Sequence, residues 1–306
     1  MKGLYKIIKV AYELINICER VNYYRKNGLV ASYPSEIKQK IKLPLTLGII
    51  LKKFAFVRRS HNEVLLREIA NLILSLNNKV KNINVIDIGA WIGDNSIVWA
   101  LKLSKNKNCN VIAIDPSKTN IQFISSIKKL NKIENLVAVK ALCSSDDNSR
   151  YDLVGGNIDM GIFKSEKKSS SSNSILSTTI DNLNDEFRRG NKTLLIHLDV
   201  EGLEYEVMQG AKRTIERDLP YLIFECHIKL ETTILFKIKR YLQPLNYQIY
   251  MINEVLTDCA LDCRNFLAVP SDKSENISQL QLSYQSAINN VNFFPATPDQ
   301  IALIEI

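Results

Sequence analysis

Several apolar runs in this 306-residue sequence end in acids or a histidine. "NVIDIGAWIGDNS" (84–96) places Asp87 and Asp94 on either side of Gly89 and Gly93, and "NVIAID" (110–115) closes on Asp115. "LLIHLD" (194–199) closes on Asp199, with Glu201 and Glu204 just beyond, and the run from Tyr221 ends in Glu225 and His227. Carboxylates and an imidazole gathered at strand ends can accept a proton from a hydroxyl. An oxygen-rich cluster of this kind could also hold Mg²⁺. An acid that ends a buried strand needs a reason, so Asp199 and Glu225 are read as site residues. For Glu201 and Glu204 the competing reading is charge at a helix N-terminus, complementing the macrodipole. His227 reads equally as a base or as a hydrogen-bonded histidine at the rim, and His197, inside its run, as a core residue. The candidate catalytic set is Asp199, Glu201, Glu225 and His227, with no metal assigned.

The elements that must position these residues follow from periodicity. "VLLREIANLILSLNN" (64–78) carries an apolar stripe at helical spacing and leads into the first glycine-containing run. Seven short apolar runs follow, beginning near residues 84, 110, 135, 194, 221, 247 and 265, and helical segments separate the earlier ones. Strands alternating with helices imply a parallel sheet covered on both faces, which is why the runs are apolar throughout. The last two runs have no helical pattern between them and fit an antiparallel hairpin. The expected fold is therefore α/β, a doubly wound, mostly parallel seven-stranded sheet with a terminal antiparallel hairpin. The domain spans residues 61–270, preceded by a helical extension (1–60) and followed by a tail (271–306). An excursion over residues 145–190 includes "SEKKSSSSNS", whose Ser169 to Ser172 is read as a mobile tip, and its flanks alternate as a small hairpin would. Long loops on a rigid scaffold carry specificity, so Asn157 and Gly161 are read as closing over an acceptor.

Ligands of doubly wound sheets bind at the carboxyl ends of the strands, where strand order reverses. Gly89 and Gly93 permit a tight turn and close approach of a ligand. Asp115 lies 22 residues beyond Gly93, where an acid can accept from both ribose hydroxyls. A dinucleotide turn reads G-x-G-x-x-G and seats a pyrophosphate on helix N–H groups. Here Asp87 and Asp94 flank the glycines and would repel a pyrophosphate; they suit the ammonium and sulfonium of S-adenosylmethionine. The candidate cofactor-binding set is Asp87, Gly89, Ala90, Trp91, Gly93, Asp94, Ser96, Asp115, Pro116, Asp146 and Asp199. Asp146 and Asp147 are placed beside an adenine amino group or, alternatively, in a solvated turn.

The succession "VIDIGAWIGDNS", "AIDPSKTNIQFISSIKKLN", "TTIDNL", "LLIHLDVEGLEYEVMQGA", "LIFECH" and "NFLAVP" resembles the FkbM family of S-adenosylmethionine-dependent methyltransferases. The resemblance covers residues from about 63 to 270, and "DVEGLEYEVMQGA" is its most specific piece. It implies a class I, Rossmann-like methyltransferase fold and methylation of a hydroxyl, frequently on a sugar or glycosylated small molecule. The family turn usually reads G-A-N-x-G, and Trp91 stands here where Asn is expected.

The net charge of +8 raises RNA ribose 2′-hydroxyl methylation as an alternative, but the lysines are scattered and no basic, aromatic-lined groove is legible. A non-catalytic scaffold that binds the cofactor is the other alternative, disfavoured by the carboxylates at 199, 201 and 225. The expected partner is a sugar, glycan or small-molecule acceptor, and a homodimer is left open. Six cysteines, three of them in or beside apolar runs, read as reduced thiols in a cytoplasmic protein. Cys259 and Cys263 lack the second ligand pair that a zinc site needs. The N-terminal stretch is helical in period but interrupted by charges. It reads as a helix packed on the domain or on a partner, with a basic membrane-surface helix as the alternative, and not as a signal peptide or a membrane span.

Overall fold

The computed structural model describes residues 29–32, 40–44, 64–77, 81–106, 108–155, 160–164, 174–227, 232–253, 263–281 and 303–306. The helix expected over the first 26 residues, the serine tip and Asn157 lie outside them. In chain order the strands of the main sheet are β3 (Ile83–Ile88), β4 (Asn110–Asp115), β5 (Leu136–Lys140), β10 (Lys192–Leu198), β11 (Tyr221–His227), β12 (Tyr247–Ile252), β13 (Cys263–Pro270) and β14 (Leu303–Glu305). They lie in the order β14-β12-β13-β11-β10-β3-β4-β5. The five strands from β11 to β5 pair in parallel, and β13 runs antiparallel between β11 and β12. All seven expected strands are present with their terminal hairpin. The tail adds an eighth, β14, antiparallel to β12.

Helices α1 (Val64–Leu76), α2 (Asp94–Leu103) and α3 (Lys118–Asn131) cover one face, here the front. Helices α5 (Glu204–Gly210), α6 (Lys212–Asp218) and α7 (Thr232–Leu242) cover the back. Alternation within each strand divides the residues: Val85, Ala113, Leu195 and Ile223 enter the front core, while Ile86, Ile112, Ile196 and Leu222 enter the back. Full burial of each Val, Leu or Ile side chain stabilises by about 1.5–3 kcal/mol.

Three features depart from the sequence reading. The extension is not wholly helical, because β1 (Leu29–Ser32) and β2 (Lys40–Leu43) form an antiparallel pair. Ile41 and Leu43 are buried in the front core, and Asn131 of α3 exchanges two hydrogen bonds of 2.8 Å with the Lys42 backbone. Secondly, the segment after Asp199 breaks at Ala211 (φ −104°) into α5 and α6 rather than forming one helix. A Cβ on Gly210 would lie 2.0 Å from the Ser144 carbonyl oxygen, so this turn is pressed against the chain leaving β5. Thirdly, the excursion is a sheet in its own right. β6 (Leu142–Cys143), β7 (Arg150–Gly155), β8 (Met160–Lys164) and β9 (Ser174–Thr178) lie in the order β6-β9-β7-β8; the strands flanking the serine tip, β8 and β9, do not pair with each other as a hairpin but lie on either side of β7, with Gly161 within β8. Helix α4 (Ile180–Phe187) then leads back to β10.

Candidate active site

From β3 the chain runs outward through β4 to β5, then returns to β10 on the other side of β3. The carboxyl ends of β3 and β10 therefore form the switch point at which such sheets bind ligands. The turn between β3 and α2 is built there. Gly89 N–H and Ala90 N–H both donate to the Ile114 carbonyl (3.0 Å), and Gly93 N–H donates to Ala90 (2.7 Å). Gly89 (φ 77°) sits so close to β10 that a Cβ would lie 1.7 Å from the Asp199 carbonyl oxygen. No residue but glycine fits. Trp91 adopts φ 47°, and its N–H donates to Asp115 Oδ2 (2.9 Å). The left-handed region suits Asn and costs other residues about 1–2 kcal/mol. That accounts for the Asn of the family turn, and it marks Trp91 as a strained departure whose ring packs against the front core.

Asp115 is buried. Its Oδ1 accepts from Ser117 N–H (2.8 Å) and Asn120 Nδ2 (3.1 Å) while Oδ2 accepts from Trp91. Burial pushes its carboxyl up to about 6, aided by the charge of Asp87 and opposed by these hydrogen bonds. Asp87 is 1% exposed, with His197 Nδ1 2.7 Å from its Oδ1 and the Ser96 hydroxyl donating to its Oδ2. Both Asp87 oxygens are thus engaged beneath the turn, and with Ser96 and His197 they hold it in place. His197 is the core residue expected, stacked edge-on against Trp99 (5.5 Å). Ala90, Gly93 and Asp94 are also buried, while Pro116 is half-buried beside them.

On the acceptor side, His227 Nε2 lies 3.5 Å from Glu201 Oε2. Glu201 adopts φ 54° and is followed by Gly202 at φ 99°, so the turn after β10 is left-handed twice. Asp199 is half-buried, and its N–H continues the sheet ladder to the Ile88 carbonyl (3.0 Å). Glu225 is buried opposite Asn265 of β13. Glu204 is 2% exposed and turns back over its own helix start, its Oε1 accepting from Val200 N–H (3.3 Å) and Gly202 N–H (3.1 Å). Burial pushes its carboxyl up to about 7, with Asp199 adding to the rise and the backbone hydrogen bonds opposing it. This role was missed, although an acid two residues after Gly202 at a helix start resembles the reach-back of a capping box.

Asp146 is not brought to the glycine turn by any of these bonds. It is exposed, and both its carbonyl and its carboxylate accept from the Ser177 hydroxyl (2.7 and 3.3 Å). Asp147 accepts from Thr178, Thr179 and Asn182 and so staples the start of α4. Among the described residues no three His, Cys, Asp or Glu side chains are grouped to hold a metal ion, and no helix is long and apolar enough to cross a membrane. Cys109, Cys143 and Cys226 are buried thiols, and burial pushes the Cys143 thiol up.

The strand order, the glycine turn at the switch point and the terminal hairpin define a class I, Rossmann-like methyltransferase domain. The sequence profile of the methyltransferase FkbM domain matches residues 87–249, more than half of the chain, and the chain belongs to that family. Among solved structures it is similar to the methyltransferase FkbM of Methylobacillus flagellatus KT, at 18% identity and TM-score 0.43, over 65% of this chain and 47% of that one. The alignment thus spans about half of that protein's length. A precorrin-6y C5,15-methyltransferase of Geobacter metallireducens GS-15 is similar at 16% identity and TM-score 0.39, over 68% and 87% of the two chains. An rRNA methylase of Streptococcus thermophilus is similar at 12% identity and TM-score 0.38, over 66% and 93%. No curated protein matches the sequence.

Proposed function

We propose that this methyltransferase uses S-adenosylmethionine to methylate a hydroxyl, with a sugar, glycan or glycosylated small molecule as acceptor. When bound, the cofactor supplies a methyl group activated on a sulfonium. Two observations support a fit. Gly89 lets the turn close tightly against the Asp199 backbone at the switch point, and Asn95, buried in the first turn of α2, has an Oδ1 with no hydrogen-bond partner. Gly89, Ala90, Trp91 and Gly93 would offer backbone to the ligand, Asp115 would face the ribose hydroxyls, and Asp94, Pro116 and Asp199 would border it. Asp87, Ser96 and His197 hold the turn from beneath.

The observation that carries the acceptor chemistry is the Glu201–His227 pair at 3.5 Å on the carboxyl edge. His227 takes the proton from the acceptor hydroxyl, and Glu201 orients its ring and stabilises the imidazolium that forms. Base assistance of this kind is worth about 10²- to 10⁴-fold. Holding acceptor and donor in line contributes more, about 7–11 kcal/mol. Asp199 and Glu225 then set the polarity of the seat rather than moving the proton. The buried thiols fit a reducing, cytoplasmic setting.

Calorimetric titration with S-adenosylhomocysteine, with NAD as control, tests the cofactor on wild type and Asp115→Ala. Micromolar binding lost in the variant supports the reading, and NAD binding overturns it. Methyl transfer to nucleotide sugars and glycans, compared with His227→Gln, then tests the acceptor.

A further inference from the structure

Glu201 carries the acid half of the proposed pair in a conformation that a glutamate does not hold unaided. Its φ of 54° costs about 1–2 kcal/mol, enough for an unsupported turn to relax and swing the side chain elsewhere. Glu204 supplies support. Glu204 Oε1 accepts from the N–H groups of Val200 and Gly202, the residues immediately before and after Glu201. An acid that served only the helix dipole would have no need to leave water, and α5 is only seven residues long. Glu204 is instead buried and aimed back across the turn.

We propose that Glu204 is a positioning residue for the Glu201–His227 pair: by clamping the backbone on both sides of Glu201, it fixes the left-handed turn that carries the Glu201 carboxylate to His227. The inference rests on the reading of that pair as the acid–base machinery. A neutral carboxyl does the same work, because its carbonyl oxygen still accepts both N–H groups, so a carboxyl raised to about 7 by burial does not release the clamp near neutral pH. An amide oxygen also suffices, whereas a side chain without an acceptor does not.

The chain has three histidines, His61, His197 and His227, so ¹⁵N-histidine spectra of the full chain resolve each ring, with His227 assigned through His227→Gln. Wild type is compared with Glu201→Gln, Glu204→Gln and Glu204→Met, the last keeping the volume without an acceptor. The expected result is that Glu204→Met moves the His227 ring signals in the same direction as Glu201→Gln and by at least half as far. Glu204→Gln stays at the wild-type position, and the buried His197 signals stay in place throughout as a control for folding. Should Glu204→Met fail to fold, Glu204→Ser, small enough to admit water to the two N–H groups, takes its place under the same expectation. A His227 signal unmoved by loss of the acceptor, while Glu201→Gln shifts it, overturns the positioning role and leaves the proposed function standing. A signal unmoved by Glu201→Gln removes the pair itself and this inference with it. Neither outcome touches cofactor binding, which the calorimetric titration decides separately.

Discussion

The two faces of the main sheet are made from alternate residues of the same strands, and over most of their length both are apolar. On the back the apolar register continues to the carboxyl edge, through Ile88, Ile114, Leu198 and Cys226. On the front it stops short, and the residues two positions after Val85, Ala113, Leu195 and Ile223 are Asp87, Asp115, His197 and Glu225. All four of these are buried. The back-facing strand residues thus stay apolar to the edge, whereas the front face gives up its last layer of apolar packing to a polar seat. Burying such groups is costly unless each is hydrogen-bonded, and here Asp87 and His197 hold each other while Asp115 holds the Trp91 N–H of the glycine turn.

The comparison is broken most severely at the turn itself. Gly89→Ala places a methyl group against the Asp199 carbonyl at a positive φ, and loss of S-adenosylhomocysteine affinity by more than about 100-fold is expected in calorimetry. His197→Ala leaves Asp87 buried without its 2.7 Å partner; a loss of about 3–5 kcal/mol in urea unfolding is expected, with weakened ligand binding. Ile196→Ala, the neighbour on the back face, is expected to cost about 2–5 kcal/mol through a cavity, with ligand affinity of the folded protein unchanged. Equal effects of the two substitutions on affinity would erase the distinction between faces.

A subtler contrast is pH dependence. The carboxyls of Glu204 and Asp115 are raised to about 7 and about 6 in the folded chain, above ordinary carboxylate values near 4. Folding therefore takes up protons: the stability contributed by these groups is full below about pH 4 and is lost as pH rises through 6 and 7. Urea unfolding at pH 5 and pH 8 should show that decline in wild type and a shallower one in Glu204→Gln. The smallest expected effect is that of Trp91→Asn, where relief of the left-handed strain offsets lost indole packing. A change in stability within about 1 kcal/mol is expected from thermal unfolding.

The seven central strands are legible in the sequence because helices on both faces make them apolar throughout. The four residues of β1, the four of β2 and the three of β14 carry no such pattern; they exist through what they pair with. The break at Ala211 is hidden for a related reason. The segment is a good helix by composition, and only the approach of Gly210 to Ser144, 66 residues away, interrupts it. In the site, the glycine turn and Asp115 could be read directly, since spacing alone defines them. That Asp87 would be occupied by His197, 110 residues further on, depends on the register of β3 against β10, which no local pattern encodes. Trp91 could be seen as a departure from the family turn, but its strain is visible only as a backbone angle.

The excursion between β5 and β10 leaves and re-enters the scaffold at one point, where Ser144 N–H donates to the Thr178 carbonyl at 3.0 Å. An insertion whose two ends are already bonded together can be lengthened, shortened or exchanged without asking the main sheet to move, since extra loop length costs little. The seam at Ser144 and Thr178 therefore makes the excursion a replaceable cassette. Descendants or engineered chimaeras could trade what lies beyond the Asp147 staple while the strands of the main sheet keep their places.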